Sequence, residues 1–127
     1  MGTPATATWA EFAAAEPDLA ARVRARFEAT GLAFLATLHH DGAPRVTGIE
    51  PLIALGELWL GMMPESYKAV DLLRDPRLAL HAATIDKNVA EGDAKVEGRA
   101  VAVTDEASIE RFRSTFREHA GEIPEGP

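Results

Sequence analysis

The chain has 127 residues, of which 46% are hydrophobic and 26% charged, and its formal net charge is −7. This length predicts one domain with a single core, and the composition is that of an ordinary soluble globular protein. The negative charge argues against general nucleic-acid affinity, because that affinity requires a basic field. The absence of cysteine excludes disulfides, thiolate metal sites and cysteine nucleophiles.

The first residues lack the basic start and apolar run of a secretory signal. No apolar stretch approaches the length needed to cross a bilayer. We therefore expect one domain over residues 1–127, in the cytoplasm and without a membrane partner.

Residues 1–30 are predicted to form a helical segment. Thr8 and Glu11 have the spacing of a capping box, and Pro17 is placed to open a second helix. Gly31 is the expected C-terminal stop of that helix. The apolar stripe of the second helix is Leu19, Val23 and Phe27.

Strands are expected after Gly31. The nearly continuous apolar run over residues 31–40 predicts a strand buried on both faces. Asp41-Gly42 predicts a hairpin, because glycine supplies the positive φ of a tight turn. A second strand is expected over residues 45–55, with Pro51 at a sheet edge or a bulge.

A third strand, over residues 58–63, precedes a predicted short helix over residues 66–74. Val70 and Leu73 lie on one side of this helix, and Asp75-Pro76 ends it because proline disfavours helical geometry in the residue before it.

The remaining elements complete a small α+β domain. They are a strand over 77–83, an exposed polar loop over 86–93, a strand over 95–103, a helix with the buried stripe Ile109, Phe112 and Phe116, and an irregular tail over 120–127. Antiparallel hairpins with segregated helices predict a small antiparallel β-barrel of five to six strands with flanking helices.

Two segments are suited to binding an anion. Ser66 and Lys68 lie where the short helix begins, and a helix start presents free N–H groups and partial positive charge. Arg45 and Thr47 are two residues apart on a strand, so their side chains share one face. Together these segments predict a protein that binds a phosphorylated cofactor.

The same segments carry a resemblance to a known family. The chain resembles the pyridoxamine 5′-phosphate oxidase-like split-barrel flavoproteins in the segments 36–38, 41–46, 58–61, 66–68, 75–80 and 96–100. The resemblance implies a split β-barrel, FMN as cofactor, and a homodimer with the cofactor at the subunit interface.

The resemblance also implies which residues bind the cofactor. Arg45 and Thr47 would lie beside its phosphate or ribityl chain, and Ser66 and Lys68 would hold the phosphate. Backbone groups of Gly61 and Met62 would meet the ring system. The full expected set is Arg45, Val46, Thr47, Gly61, Met62, Ser66 and Lys68.

Two departures from the family pattern bear on the substrate and on the barrel. Members that oxidise pyridoxamine phosphate carry a longer C-terminal segment whose arginine and histidine grip the substrate, and nothing here matches it. We therefore expect a substrate other than pyridoxamine phosphate. Members also have a final strand after the last helix, whereas this sequence ends at Pro127, so we expect either a shortened sequence or a barrel that closes differently.

The histidines are predicted to have structural roles. His39 and His40 are adjacent on a strand, so they point to opposite faces and do not share a metal ion. His81 lies on an apolar strand, where a packed and hydrogen-bonded role is expected. No metal site and no catalytic acid or base is assigned.

The sequence thus predicts an FMN-dependent oxidoreductase with a small-molecule substrate. Two alternatives stay open: an F420-dependent reductase on the same fold, and a non-catalytic module that binds flavin or haem.

Overall fold

A computed structural model describes residues 6–120 as helices and two antiparallel sheets. The helices are α1 (Trp9–Ala15), α2 (Pro17–Thr30), α3 (Tyr67–Arg74) and α4 (Glu106–Ala120). The strands are β1 (Ala33–Leu38), β2 (Pro44–Ile49), β3 (Pro51–Ala54), β4 (Glu57–Leu60), β5 (Arg77–Ala82) and β6 (Lys95–Arg99). The predicted tail after Ala120 lies outside the described residues.

The N-terminal helices begin and end as predicted. The Thr8 hydroxyl accepts from the Glu11 amide at 3.1 Å while the Glu11 carboxylate accepts from the Thr8 amide at 2.9 Å, so the capping box is formed. Pro17 is the first residue of α2, and Gly31 ends α2 with a φ of 70°. Glycine reaches that left-handed conformation at no steric cost.

The larger sheet has the strand order β2-β1-β5-β6, and every neighbouring pair is antiparallel. The predicted hairpin joins β1 to β2: the His39 amide donates to the Ala43 carbonyl at 2.8 Å, and Gly42 has a φ of 87°. Strand β2 lies at the edge of this sheet, so one side of its backbone is available to another element.

The predicted strand over residues 45–55 is wrong as a single element. It is two strands, because β2 ends at Ile49 and β3 begins at Pro51 in a separate two-stranded sheet with β4. Pro51 has no N–H for the first ladder, so it marks the place where the chain changes sheets. The third strand also ends earlier than predicted, at Leu60 rather than Met63.

Helix α3 has the predicted limits but a different buried side. Ser66 caps its start and Asp75 its end. Leu73 is 72% exposed and Val70 is also exposed, whereas Ala69 and Asp71 are buried. The buried carboxylate of Asp71 decides how the helix sits against the larger sheet.

Strand β1 is buried on one face only, so the prediction of burial on both faces is wrong for this chain. Ala33, Leu35 and Thr37 are buried, while Phe34 between them is 52% exposed. The core of the larger sheet is formed by Phe27, Ala33, Leu35, Ile49, Leu80, Ala82 and Ala94.

The last strand is shorter than predicted, and Ile109 of the last helix is half-buried, whereas it was predicted to be buried. Strand β6 ends at Arg99, and Val101 and Val103 are exposed. Phe112 and Phe116 of α4 form a second buried cluster with Leu52. The chain is therefore an α+β protein, a small split β-barrel with flanking helices, and its described residues form six antiparallel strands.

Candidate functional site

Strand β2 divides its side chains between two faces. Arg45, Thr47 and Ile49 point inward, toward helix α3 and the core, while the Val46 side chain points outward and is 65% exposed. The predicted pairing of Arg45 with Thr47 on one face is present. Val46 has no side-chain access to that inner face and can serve a ligand there only through its backbone.

A buried carboxylate lies at the hairpin end of this face. Asp71 of α3 is 2% exposed and accepts from Thr37 Oγ1 at 2.7 Å, Arg45 Nε at 2.7 Å and Arg74 Nη2 at 3.0 Å. We call Thr37, Arg45, Asp71 and Arg74 the Asp71 cluster. Arg74 also donates to the Leu38 carbonyl at 2.6 Å, so the cluster joins α3 to both β1 and β2.

The guanidinium of Arg45 is held by two further groups. Its Nη2 donates to His39 Nδ1 at 3.0 Å, and its central carbon lies 4.8 Å from the centroid of the Tyr67 ring. That distance is within the range of a cation–π contact. The Arg45 side chain therefore has one fixed orientation, although a fifth of its surface remains exposed.

Burial and hydrogen bonding have opposite effects on the pKa of Asp71. Burial alone raises the pKa of the Asp71 carboxyl, but the hydrogen bonds from Arg45, Thr37 and Arg74 outweigh burial and hold the pKa well below its usual range. Asp71 is therefore a carboxylate at neutral pH, and it offsets one of the two arginine charges beside it.

A cavity lies beside the start of α3, toward the other end of β2. Its volume is about 190 Å³, and we call it the Lys68 cavity. It is lined by Ile49, Glu50, Gly61, Lys68, Phe112 and Phe116. The Lys68 ammonium donates to the Gly48 carbonyl at 3.3 Å and forms no ion pair within residues 6–120.

Phe112 of α4 forms one wall of the Lys68 cavity at Gly61. A Cβ atom added to Gly61 would lie 2.7 Å from Phe112 Cζ, so the ring and the glycine are in direct contact. Gly61 was predicted to meet a cofactor ring through its backbone, and in this structure an aromatic side chain of the protein itself covers it. Met62, the neighbouring predicted residue, packs partly buried against the main core.

The Ser66 hydroxyl caps the first turn of α3. Its hydroxyl donates to the Met63 carbonyl at 2.7 Å and accepts from the Ala69 amide at 3.3 Å. Its carbonyl accepts from the Val70 amide at 3.0 Å. The Val70 bond is the first regular bond of the helix, and the Ser66 amide donates to the Met63 carbonyl at 3.1 Å. Of the four amides that precede that bond, those of Tyr67 and Lys68 have no acceptor among the described residues.

The Thr47 hydroxyl is buried and has no hydrogen-bond partner in the part of the chain that the structure describes. Such a group costs free energy unless it finds an acceptor or donor. It lies on the inner face of β2 between Arg45 and Ile49, and it is the kind of group that a bound ligand satisfies.

The histidines have the following surroundings. His39 accepts from Arg45, and His81 donates to the Ala82 carbonyl at 2.7 Å and lies 3.3 Å from an Asp93 oxygen. The prediction that His81 is hydrogen-bonded is confirmed, although its side chain is about half exposed. Within residues 6–120, no group of three or more His, Cys, Asp or Glu side chains is arranged to hold a metal.

Three residues of these regions were not anticipated from sequence: Asp71, Arg74 and Phe112 as a neighbour of Gly61. The available signal for the first two was their spacing of three on a helix that also bears apolar residues. A charged pair at that spacing is common on exposed helix faces, so the spacing alone does not indicate burial.

Comparison with known proteins gives the family and the fold. Residues 19–127 match the family described as pyridoxamine 5′-phosphate oxidase. No curated protein matches the chain. The conserved hypothetical protein Rv2991 from Mycobacterium tuberculosis is 27% identical with a TM-score of 0.69, and the match covers 83% of this chain and 66% of that one.

Two further solved structures share the fold at lower identity. An F420 reductase is 19% identical with a TM-score of 0.57, over 76% of this chain and 75% of that one. The haem storage protein HutZ from Vibrio cholerae is 16% identical with a TM-score of 0.58, over 84% of this chain and 80% of that one. None of the helices within residues 6–120 is long and apolar enough to cross a membrane.

Proposed function

Because the chain belongs to the pyridoxamine 5′-phosphate oxidase family, we propose that it is an FMN-dependent oxidoreductase with a small-molecule substrate other than pyridoxamine phosphate. We further propose that residues 1–127 form one flavin-binding domain and that two copies assemble into a cytoplasmic homodimer with FMN at their interface.

One observation carries this proposal: the Lys68 ammonium lies at a cavity and has only a peptide carbonyl as a partner among the described residues. A lysine with no carboxylate partner at the start of a helix is a suitable ligand for a phosphate. The unused amides of Tyr67 and Lys68 add donors at the same place.

The residues present fit the phosphate and ribityl end of FMN. Lys68 would supply a mobile positive charge, Arg45 a fixed one, and Thr47 a hydroxyl that needs a hydrogen-bond partner. Ser66 would act indirectly, since its hydroxyl holds the first turn of α3 in place. Val46 would contribute backbone groups of the edge strand.

The size of the Lys68 cavity supports an assembly of two chains. Its volume of about 190 Å³ is below the roughly 300–1,000 Å³ typical of sites that enclose a drug-sized ligand. One chain therefore offers only part of a flavin site.

Bound FMN supplies the hydride chemistry, and the chain supplies binding, orientation and water exclusion. Lys68 and Arg45 would fix the phosphate and so set the position of the rest of the cofactor. Phe112 and Phe116 would keep water from one wall of the site. Gly61 and Met62 would present backbone to the ring system after Phe112 moves from its contact with Gly61.

Two alternatives are each favoured by one fold likeness. The F420 reductase supports a deazaflavin cofactor in the same place, and HutZ supports a non-catalytic module that binds flavin or haem. Both are likenesses of fold, whereas the family match covers most of the chain. We therefore place FMN first.

The test is native mass spectrometry of protein purified without added cofactor, followed by absorbance spectra and titration with FMN. We expect a dimer with one FMN per chain. We expect Lys68→Ala to weaken FMN binding by about tenfold or more, because a charge-assisted hydrogen bond is lost. Lys87→Ala, in the exposed loop between β5 and β6, is the matched control and should leave the affinity unchanged.

The outcomes separate the candidates. A colourless protein that binds F420 but not FMN would favour the deazaflavin alternative. A flavin that binds but is not reduced by NADH, NADPH or any substrate tried would favour the binding module. Equal FMN affinity in the Lys68 and Lys87 variants would refute the site assignment.

A further inference from the structure

The Asp71 cluster joins α3 to two neighbouring strands, β1 and β2. Thr37 and Arg74 already link α3 to β1, since Thr37 donates to Asp71 and Arg74 donates to both Asp71 and the Leu38 carbonyl. Arg45 adds a third donor from β2, and its guanidinium is the part that reaches beyond the cluster.

The tip of Arg45 is fixed on three sides by three different kinds of contact. Asp71 accepts from Nε at 2.7 Å, His39 accepts from Nη2 at 3.0 Å, and the Tyr67 ring lies 4.8 Å from the guanidinium carbon. A mobile arginine side chain loses rotamer freedom when it binds a ligand. A side chain that other contacts already hold in place loses less conformational entropy on binding.

The Nη1 group of the Arg45 guanidinium makes none of these contacts. Within the described part of the chain, no group accepts from Arg45 Nη1, and the side chain remains one-fifth exposed. Asp71 offsets one of the charges of Arg45 and Arg74, so the cluster retains a net positive charge. The remaining N–H donors are thus charged, oriented and unused.

We propose that Asp71 is a positioning residue that holds Arg45 with its Nη1 group directed at the phosphate of the bound flavin. This inference rests on the proposed function, since it needs a phosphate-bearing ligand on this face. Asp71 itself touches no ligand and acts through the orientation of Arg45.

The test compares two ligands that differ by the phosphate alone, FMN and riboflavin. The quantity measured is the ratio of the dissociation constant for riboflavin to that for FMN, obtained by fluorescence titration at fixed salt. A general loss of structure weakens both ligands alike and leaves this ratio unchanged. A loss of phosphate positioning lowers the ratio.

We expect Asp71→Asn to lower the ratio about tenfold, because the fixed charge-assisted contact of Arg45 with the phosphate is lost. In an Arg45→Gln background the same change should have no further effect, since Asp71 acts through Arg45. Asp75→Asn, which removes the exposed partner of Arg77, is the matched control and should leave the ratio at the wild-type value.

A second variant covers the case in which Asp71→Asn does not fold. Thr37→Val removes one hydrogen bond to Asp71 and leaves the charge of the Asp71 carboxylate in place. It should lower the ratio of the riboflavin and FMN dissociation constants about threefold. An unchanged or increased ratio in the folded variants would overturn the inference. A wild-type protein that does not prefer FMN to riboflavin would overturn the proposed phosphate site as well, and that result is distinguishable from the first.

Discussion

The Asp71 cluster and the Lys68 cavity differ although β2 and α3 contribute residues to both. In the cluster, a buried carboxylate accepts from three donors on three elements. At the cavity, the cation touches a single carbonyl. Asp71 and Lys68 are only three residues apart on α3, so one short helix presents both.

The difference follows from solvent access. A charge removed from water is destabilising unless partners replace the water, so Asp71 is surrounded by donors. A lysine at an open cavity keeps water as its partner, and it can exchange that water for a ligand. We therefore expect the Asp71 cluster to contribute mainly to stability and the Lys68 cavity mainly to ligand binding.

The largest expected effect is a loss of stability when the Asp71 cluster is disrupted. Asp71→Ala removes the buried carboxylate from the largely buried Arg45 and from the more exposed Arg74, and we expect it to lower the free energy of unfolding by about 3–5 kcal/mol. Asp75→Ala breaks an exposed pair with Arg77 and should cost much less. Urea denaturation measures both, and equal losses would contradict the distinction between the two regions.

The Asp71 cluster is also expected to make the stability of the protein depend on pH in the acid range. The pKa of Asp71 is lowered in the folded protein, so the unfolded chain binds more protons as the pH falls below about 4. The stabilisation from this carboxylate is present above that pH and is lost progressively below it, by at most about 1.4 kcal/mol per pH unit. Unfolding of wild type and Asp71→Asn between pH 5 and 2 should show the steeper loss in the wild type, and parallel curves would contradict this assignment.

The contact between Gly61 and Phe112 tests how firmly the cavity wall is packed. Gly61→Ala places a methyl group 2.7 Å from Phe112 Cζ, and we expect it to cost about 1–3 kcal/mol through overpacking. Gly48→Ala is the matched control, because nothing lies within 4 Å of its added Cβ. If thermal unfolding shows no difference between the two variants, the Phe112 ring is free to move and the wall is open.

The smallest expected effect concerns Glu50, which lines the same cavity as Lys68. Its carboxylate opposes an anionic ligand, so Glu50→Gln should tighten FMN binding about twofold, and the gain should shrink as salt screens the charge. Glu57→Gln, exposed on β4, is the control. Weaker FMN binding in Glu50→Gln would show that Glu50 contacts the ligand through its carboxylate.

Most helix limits could be predicted from local chemistry. The Thr8–Glu11 capping box, Pro17, Gly31 and Ser66 act on backbone groups within a few residues of themselves, and the structure confirms each. The division of residues 45–55 into two strands was missed, because the choice between a bulge and a change of sheet depends on the partner strands.

The candidate site was predictable in part. The shared face of Arg45 and Thr47 follows from the period of a strand, and the position of Lys68 follows from the start of a helix. The cofactor assignments of these residues stay predictions. That Ser66 is occupied by its own helix, and that Phe112 covers Gly61, depends on contacts that the sequence order does not reveal.

By itself the sequence determined the order of helices and turns, the shared face of Arg45 and Thr47, and the family, since these depend on neighbours along the chain and on recognisable segments. Only the tertiary structure decided which charges are buried. Asp71 and Lys68 look alike in sequence, as charged residues on one short helix, yet the elements packed around them surround one with donors and leave the other open. Burial is a property of the assembled fold, and burial is what separates a structural charge from one available to a ligand.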